Sequence, residues 1–128
     1  MGTVIVIGLI LAIIGIIAAG VFVANANSIT ARWIKNKIKK KLAQKNAKKV
    51  AFGDLKALIN EAVAQNDNKT KLDSLDDILN LGYSHYMATI DDGDQILGEV
   101  ELIKDENEIL DADVEKMLGH KGLVVIEV

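Results

Sequence analysis

Few residues in this chain are placed to do chemistry. His85 and His120 are its two histidines. With Asp92, Asp94 or Glu127 they would make a mixed nitrogen and oxygen metal site, the basis of a metal-dependent sensor or enzyme. They stand far apart in the chain and neither has a second ligand close beside it, so no metal ligand is assigned and no cofactor is expected. His120 follows a predicted helix end, where an imidazole offers its proton to terminal carbonyls. Ser84 precedes His85, but neighbouring strand residues point to opposite faces, so the two are not read as nucleophile and base.

The acidic segments resolve in the same way. Asp91, Asp92 and Asp94 surround Gly93 and would hold a cation or move protons, yet Asp-rich tetrapeptides are ordinarily turns. Residues 66–77 superficially resemble a calcium loop. Such a loop needs a glycine at its sixth position and a bidentate glutamate at its twelfth; here Lys71 and Asp77 stand there. The plain reading is a helix, a loop and a capped helix. Gly93, Gly98, Gly119 and Gly122 lack the spacing and the following helix of a phosphate loop. The Asn68-Lys69-Thr70 sequon matters only outside the cytoplasm. The chain has no cysteine, which removes disulfides, thiolate chemistry and sulfur-bound zinc, and no proline, which removes rigid polyproline segments. No catalytic residue is assigned.

Charge is distributed unevenly. No charged side chain precedes Arg32. Residues 32–49 hold nine basic residues and no acid, whereas residues 50–128 hold six lysines and all eighteen acids. The split marks a basic surface-binding segment and a separate acidic module. The acidity of 91–115 is a solvated surface, or a docking face for a basic partner or for the lysines of another copy.

Residues 4–23 contain only Val, Ile, Leu, Phe, Gly and Ala. As a helix they would extend about 30 Å, the hydrocarbon thickness of a bilayer, and their side chains favour insertion by roughly 4–8 kcal/mol. A transmembrane helix is therefore expected. Gly8, Ala12, Gly15 and Ala19 share one helix face, a stripe of small residues that lets two helices approach closely, with a second copy or a protein partner. Basic residues on the C-terminal flank alone predict the N-terminus outside and the rest in the cytoplasm, or on the interior side of a viral membrane. Ala24-Asn25-Ala26 also fits a signal-peptide cleavage pattern, which would make a secreted protein with a basic arm.

Residues 29–49 read as a helix continuing out of the bilayer, with Ile34, Ile38 and Leu42 on one face. Arg32, Trp33, Lys35, Lys37, Lys39, Lys40 and Lys41 are the expected contacts to anionic lipid headgroups. The stretch would otherwise be a topology signal with a solvated charged face; nucleic acid or another acidic partner is the least favoured reading, because the stretch has one aromatic and the rest of the chain is acidic.

The acidic module reads as helices over 53–65 and 74–81, the second capped by Asp73 or Ser74. A strand over 83–90, an Asp-Gly turn and a return strand over 95–103 follow. A short helix over 111–118 is closed by Gly119, and an apolar strand over 123–128 should be central. Tyr86, Ala88 and Ile90 fall on one side of their strand. The expected architecture is α+β: a transmembrane anchor at 1–26, a basic juxtamembrane helix at 27–49, and a small cytoplasmic domain at 50–128 with about three strands and helices on one face. The expected function is non-enzymatic: an adaptor or structural subunit of a membrane-associated assembly, such as a secretion machine or a membrane-containing virion.

Overall fold

The computed structural model describes residues 3–65, 69–106, 111–119 and 122–127. The long apolar run does not form one helix. It divides into α1 (Thr3–Ala18) and the start of β1 (Phe22–Asn27). The division is made by Gly20, whose φ of +84° suits a residue without a Cβ. Gly20 N–H donates to Ile17 O and Val21 N–H to Ile16 O, both at 3.0 Å, the paired bonds that close a helix around a left-handed glycine. The sixteen residues of α1 extend about 24 Å.

No helix among the described residues is long and apolar enough to cross a membrane. This corrects the transmembrane, single-pass and membrane-anchored expectations for residues 4–23. The physical reason lies in side-chain size. Leu9, Ile10, Ile13, Ile14 and Ile17 are buried, whereas Gly8, Ala12 and Ala19 are exposed. The helix has no polar face, but its large residues recur at helical spacing and its small ones lie opposite. Burying five such side chains favours docking by roughly 7–15 kcal/mol before the entropy of ordering is counted.

After β1, α2 (Ala31–Leu42) is capped by Thr30, whose Oγ1 accepts from Trp33 N–H at 3.2 Å. It stops at Leu42, well short of the expected 49, because residues 49–54 form a strand, β2 (Lys49–Asp54). Asp54 ends that strand and caps α3 (Leu55–Ala64), accepting from Lys56 N–H at 2.8 Å. Next comes α4 (Lys69–Asn80), which starts earlier than the helix expected at 74. Ser74, expected as its cap, lies within it and donates to Thr70 O. The expected hairpin is present as β3 (His85–Ile90) and β4 (Ile96–Asp105). In its turn Asp91 Oδ1 accepts from Gly93 N–H and Gln95 N–H, both at 2.9 Å, and Asp94 takes the left-handed backbone at φ +59°. Finally α5 (Ala112–Leu118), capped by Asp111 and closed by Gly119, leads to β5 (Leu123–Glu127).

The five strands form one mixed sheet in the order β1-β4-β3-β2-β5, with β1 parallel to β4 and every other pair antiparallel. This corrects the expected three strands. It also moves β5 from the expected centre to an edge. Two clusters divide the core. Tyr86, Ala88 and Ile90 share one with α1, α3 and α4, on the single side anticipated for them. Phe52, Met87 and Ile103 share the other with α2 and α5. Helices therefore cover both faces rather than one. Tyr86 lies so close over Gly53 that an added Cβ would sit 2.5 Å from its hydroxyl.

Candidate functional site

On the α2 face the buried rows of β3 and β4 are apolar except at His85, Thr89 and Glu101. Glu101 is 5 % exposed and lies opposite Val23 of β1. Asn25 Nδ2 donates to its Oε2 at 2.8 Å. Lys37 Nζ and Lys41 Nζ approach its two oxygens, each at 3.1 Å. Lys37 and Lys41 are one turn apart on α2, so both reach down past the helix flank to the same carboxylate. Burial pushes the Glu101 pKa up, but the bonds from Asn25, Lys41 and Lys37 outweigh burial and hold it below the usual glutamate range.

Neither Asn25 nor Glu101 stood out in the sequence. A faint signal existed: Glu101 is an acid set between the apolar Val100 and Leu102, with Ile103 following.

The remaining cations of α2 point away from the sheet. Ile34 and Ile38 are buried beneath the helix, and Arg32, Lys35, Lys39 and Lys40 are exposed on it. Lys45 and Lys48 extend the basic surface beyond its end. Among the described residues none of these six has an ion-pair partner. Trp33 is half-buried against the core, with Lys37 Nζ 5.7 Å from its ring centre. Of the seven residues expected to meet headgroups, the structure therefore presents four outward and turns Trp33, Lys37 and Lys41 inward.

Of the small-residue stripe, Gly8 and Ala12 are exposed and Gly15 half-buried on α1, and Ala19 is exposed just past its end. A Cβ at Gly8 or Gly15 would meet no atom within 4 Å.

His85 is buried and stacks on Phe52 with ring centres 5.5 Å apart. Contrary to expectation, Ser84 reaches it: the hydroxyl lies 2.7 Å from His85 Nδ1. The alternation rule fails because Ser84 precedes β3, held by bonds from its N–H to Ile103 O and from Leu55 N–H to its carbonyl. His85 Nε2 is buried with no partner among the described residues. A serine–histidine nucleophile needs a third group that orients the ring. The nearby Asp54 carboxylate caps α3 instead.

Burial lowers the His85 pKa, and the Asp54 and Asp105 carboxylates oppose that only in part. The unfolded chain therefore takes up this proton first. Stability from a neutral His85 is fully present above about pH 6.5 and declines as pH falls toward the lower folded value. Thermal melting should fall between pH 7.5 and 5.5, and H85F, which keeps the stack on Phe52, should flatten that decline. An equal decline in H85F would assign it to other groups.

The other acidic candidates are accounted for structurally. Asp94 accepts from Lys49 Nζ at 2.8 Å, and Glu127 lies 3.9 Å from the same ammonium, so two of the carboxylates considered beside the histidines pair with a lysine. This raises the Lys49 pKa, through Asp94 first. Thr70, Lys71 and Asp77 of the calcium-like stretch are helical, while Asn66 and Asn68 lie outside the described residues, as does His120. No group of three or more metal-ligating side chains occurs among the described residues. The chain matches no known family, no curated protein and no solved structure.

Proposed function

We propose that this protein is a non-enzymatic docking subunit, an adaptor whose working surface is the outer face of α2 and whose partner is an acidic protein surface. The observation that supports this is the row Arg32, Lys35, Lys39 and Lys40, exposed and without ion-pair partners among the described residues. The helix beneath is fixed by Ile34 and Ile38 and by the Glu101 clamp, so the row is held in place before a partner arrives. Repulsion among these cations is relieved by an anionic surface.

Two other anionic partners fit less well. A helix that lies in a lipid interface immerses an apolar face, and that of α2 is already buried in the core. Single-stranded nucleic acid is held by stacking on aromatic side chains, and the chain's one tryptophan is half-buried beside Lys37.

Labelled polyglutamate is a direct probe. Saturable binding that weakens with salt is expected, and the variant R32Q/K35Q/K39Q/K40Q should lose at least about tenfold in affinity, since each exposed pair contributes up to about 1 kcal/mol. Equal binding by the variant would contradict the assignment. Stronger binding to phosphatidylserine vesicles than to polyglutamate would transfer the face to lipid.

A further inference from the structure

The edge strand β1 offers a second surface. Among the described residues it pairs with β4 alone. Val21 O accepts from Val100 N–H and Asn27 O from Glu106 N–H, which sets the phase of the parallel ladder. Alternate residues of a strand bond to the same neighbour. The odd-numbered residues therefore face β4, and Phe22, Ala24 and Ala26 turn their N–H and C=O groups outward.

Sheet edges are commonly protected by charge, proline or a bulge. This one has none of these. No charged side chain occurs from Thr3 to Ala31 and the chain has no proline. The register of β1 on β4 is unbroken from Phe22 to Asn27. Val21 and Val23 at this border are each 45 % exposed. Lys37 and Lys41, which share the Glu101 carboxylate with Asn25 of this strand, are both engaged there.

We infer that β1 pairs antiparallel with β1 of a second copy of this chain across a two-fold axis at Ala24. This register engages all three outward residues of each strand. Phe22 lies opposite the partner's Ala26, and Ala24 opposite the partner's Ala24, giving about six backbone hydrogen bonds. A large side chain meets a small one on the α1 face, and Val23 meets Asn25 on the other. No like charges oppose each other along the strands. A two-fold pairing closes on itself, so it yields a dimer with one continuous sheet rather than a fibre. The extended backbone chemistry of the edge calls for a strand, and β1 itself is complementary to it in size and charge.

Sedimentation equilibrium of the full chain tests this, with two variants. The wild type should have twice the 13.9 kDa of one chain. A24P removes an outward N–H but no bond to β4, and V23K adds a charge on an exposed side chain at the border. Each should raise the dimer dissociation constant at least tenfold. V23K carries the test if A24P fails to fold. Amide exchange adds a site-specific readout: in the dimer Ala24 and Ala26 are protected as well as Val23 and Asn25, whereas in V23K only the odd-numbered pair is. A monomeric wild type, or a dimer that survives V23K with Ala24 exchanging freely, would overturn the proposal.

Discussion

Truncating Ile14 to alanine should lower the free energy of unfolding by about 3 kcal/mol, a large share of what a domain of this size possesses. Ile14 is fully buried in the core that α1 shares with α3, α4 and the sheet. The lost methyl groups carry their transfer energy, and the void they leave forfeits packing on the sheet side. The opposite face of the same helix should behave differently. Gly15 has open space where a Cβ would be, so G15A should be neutral or stabilise by about 0.5–1 kcal/mol, from helix propensity alone. Denaturant unfolding of the two variants measures both. Equal, small effects at both positions would show that α1 is not part of the folded core.

The second large effect is expected at Glu101. E101A leaves Asn25, Lys37 and Lys41 without their common acceptor in a mostly buried place. Breaking a buried charge network by removing one member costs about 3–5 kcal/mol when the remaining charge stays dry. The two lysines are 29 % and 15 % exposed and can turn partly to water, so about 2–3 kcal/mol is expected here. The double variant E101A/K41A should be less destabilised than the sum of its singles, because Lys41 is then not left unpaired. The pH sign follows from the lowered Glu101 pKa: its contribution is present above the ordinary carboxylate range and is lost as pH falls through the depressed folded value. Additive single and double effects would reduce the clamp to a surface contact.

Much of the C-terminal half was legible in the sequence because its signals are local. The Asp-Gly turn marks the hairpin, Asp111 and Gly119 bracket α5, and alternation places Tyr86, Ala88 and Ile90 on one side. The N-terminal third was misread because composition overrode periodicity. Val, Ile, Leu and Phe from Val4 to Val23 satisfy any hydropathy criterion for a membrane helix. The features that divide the run are a single glycine at 20 and a size period hidden within uniform apolarity. Strand β2 was missed for a related reason. Lys48 and Lys49 look like the end of a basic helix and Gly53 like the start of the next one, so the strand's two ends were read as helix and only residues 50–52 were left between them. The end strand β5 was placed centrally because an apolar run signals burial on both faces, whereas here Leu123 and Val125 pack half-buried on one cluster and Val124 and Ile126 half-buried on the other. In the candidate site the basic row was legible from residue type alone. Which lysines turn inward was not, since that depends on Glu101 and Asn25 meeting across β4 and β1, a long-range contact with no local signature.

The central claim is that α1 forms a layer over the sheet, with Leu9, Ile10, Ile13, Ile14 and Ile17 turned inward and Gly8 and Ala12 outward. The chain lacks cysteine, so single cysteines report accessibility without background. Labelling of A12C, I13C, I17C and A19C by a maleimide in aqueous buffer tests it most directly. The fold predicts fast labelling at 12 and 19, slow labelling at 13 and 17, and fast labelling at all four in urea. Uniform rates at the four positions in the native protein, fast or slow, would contradict it.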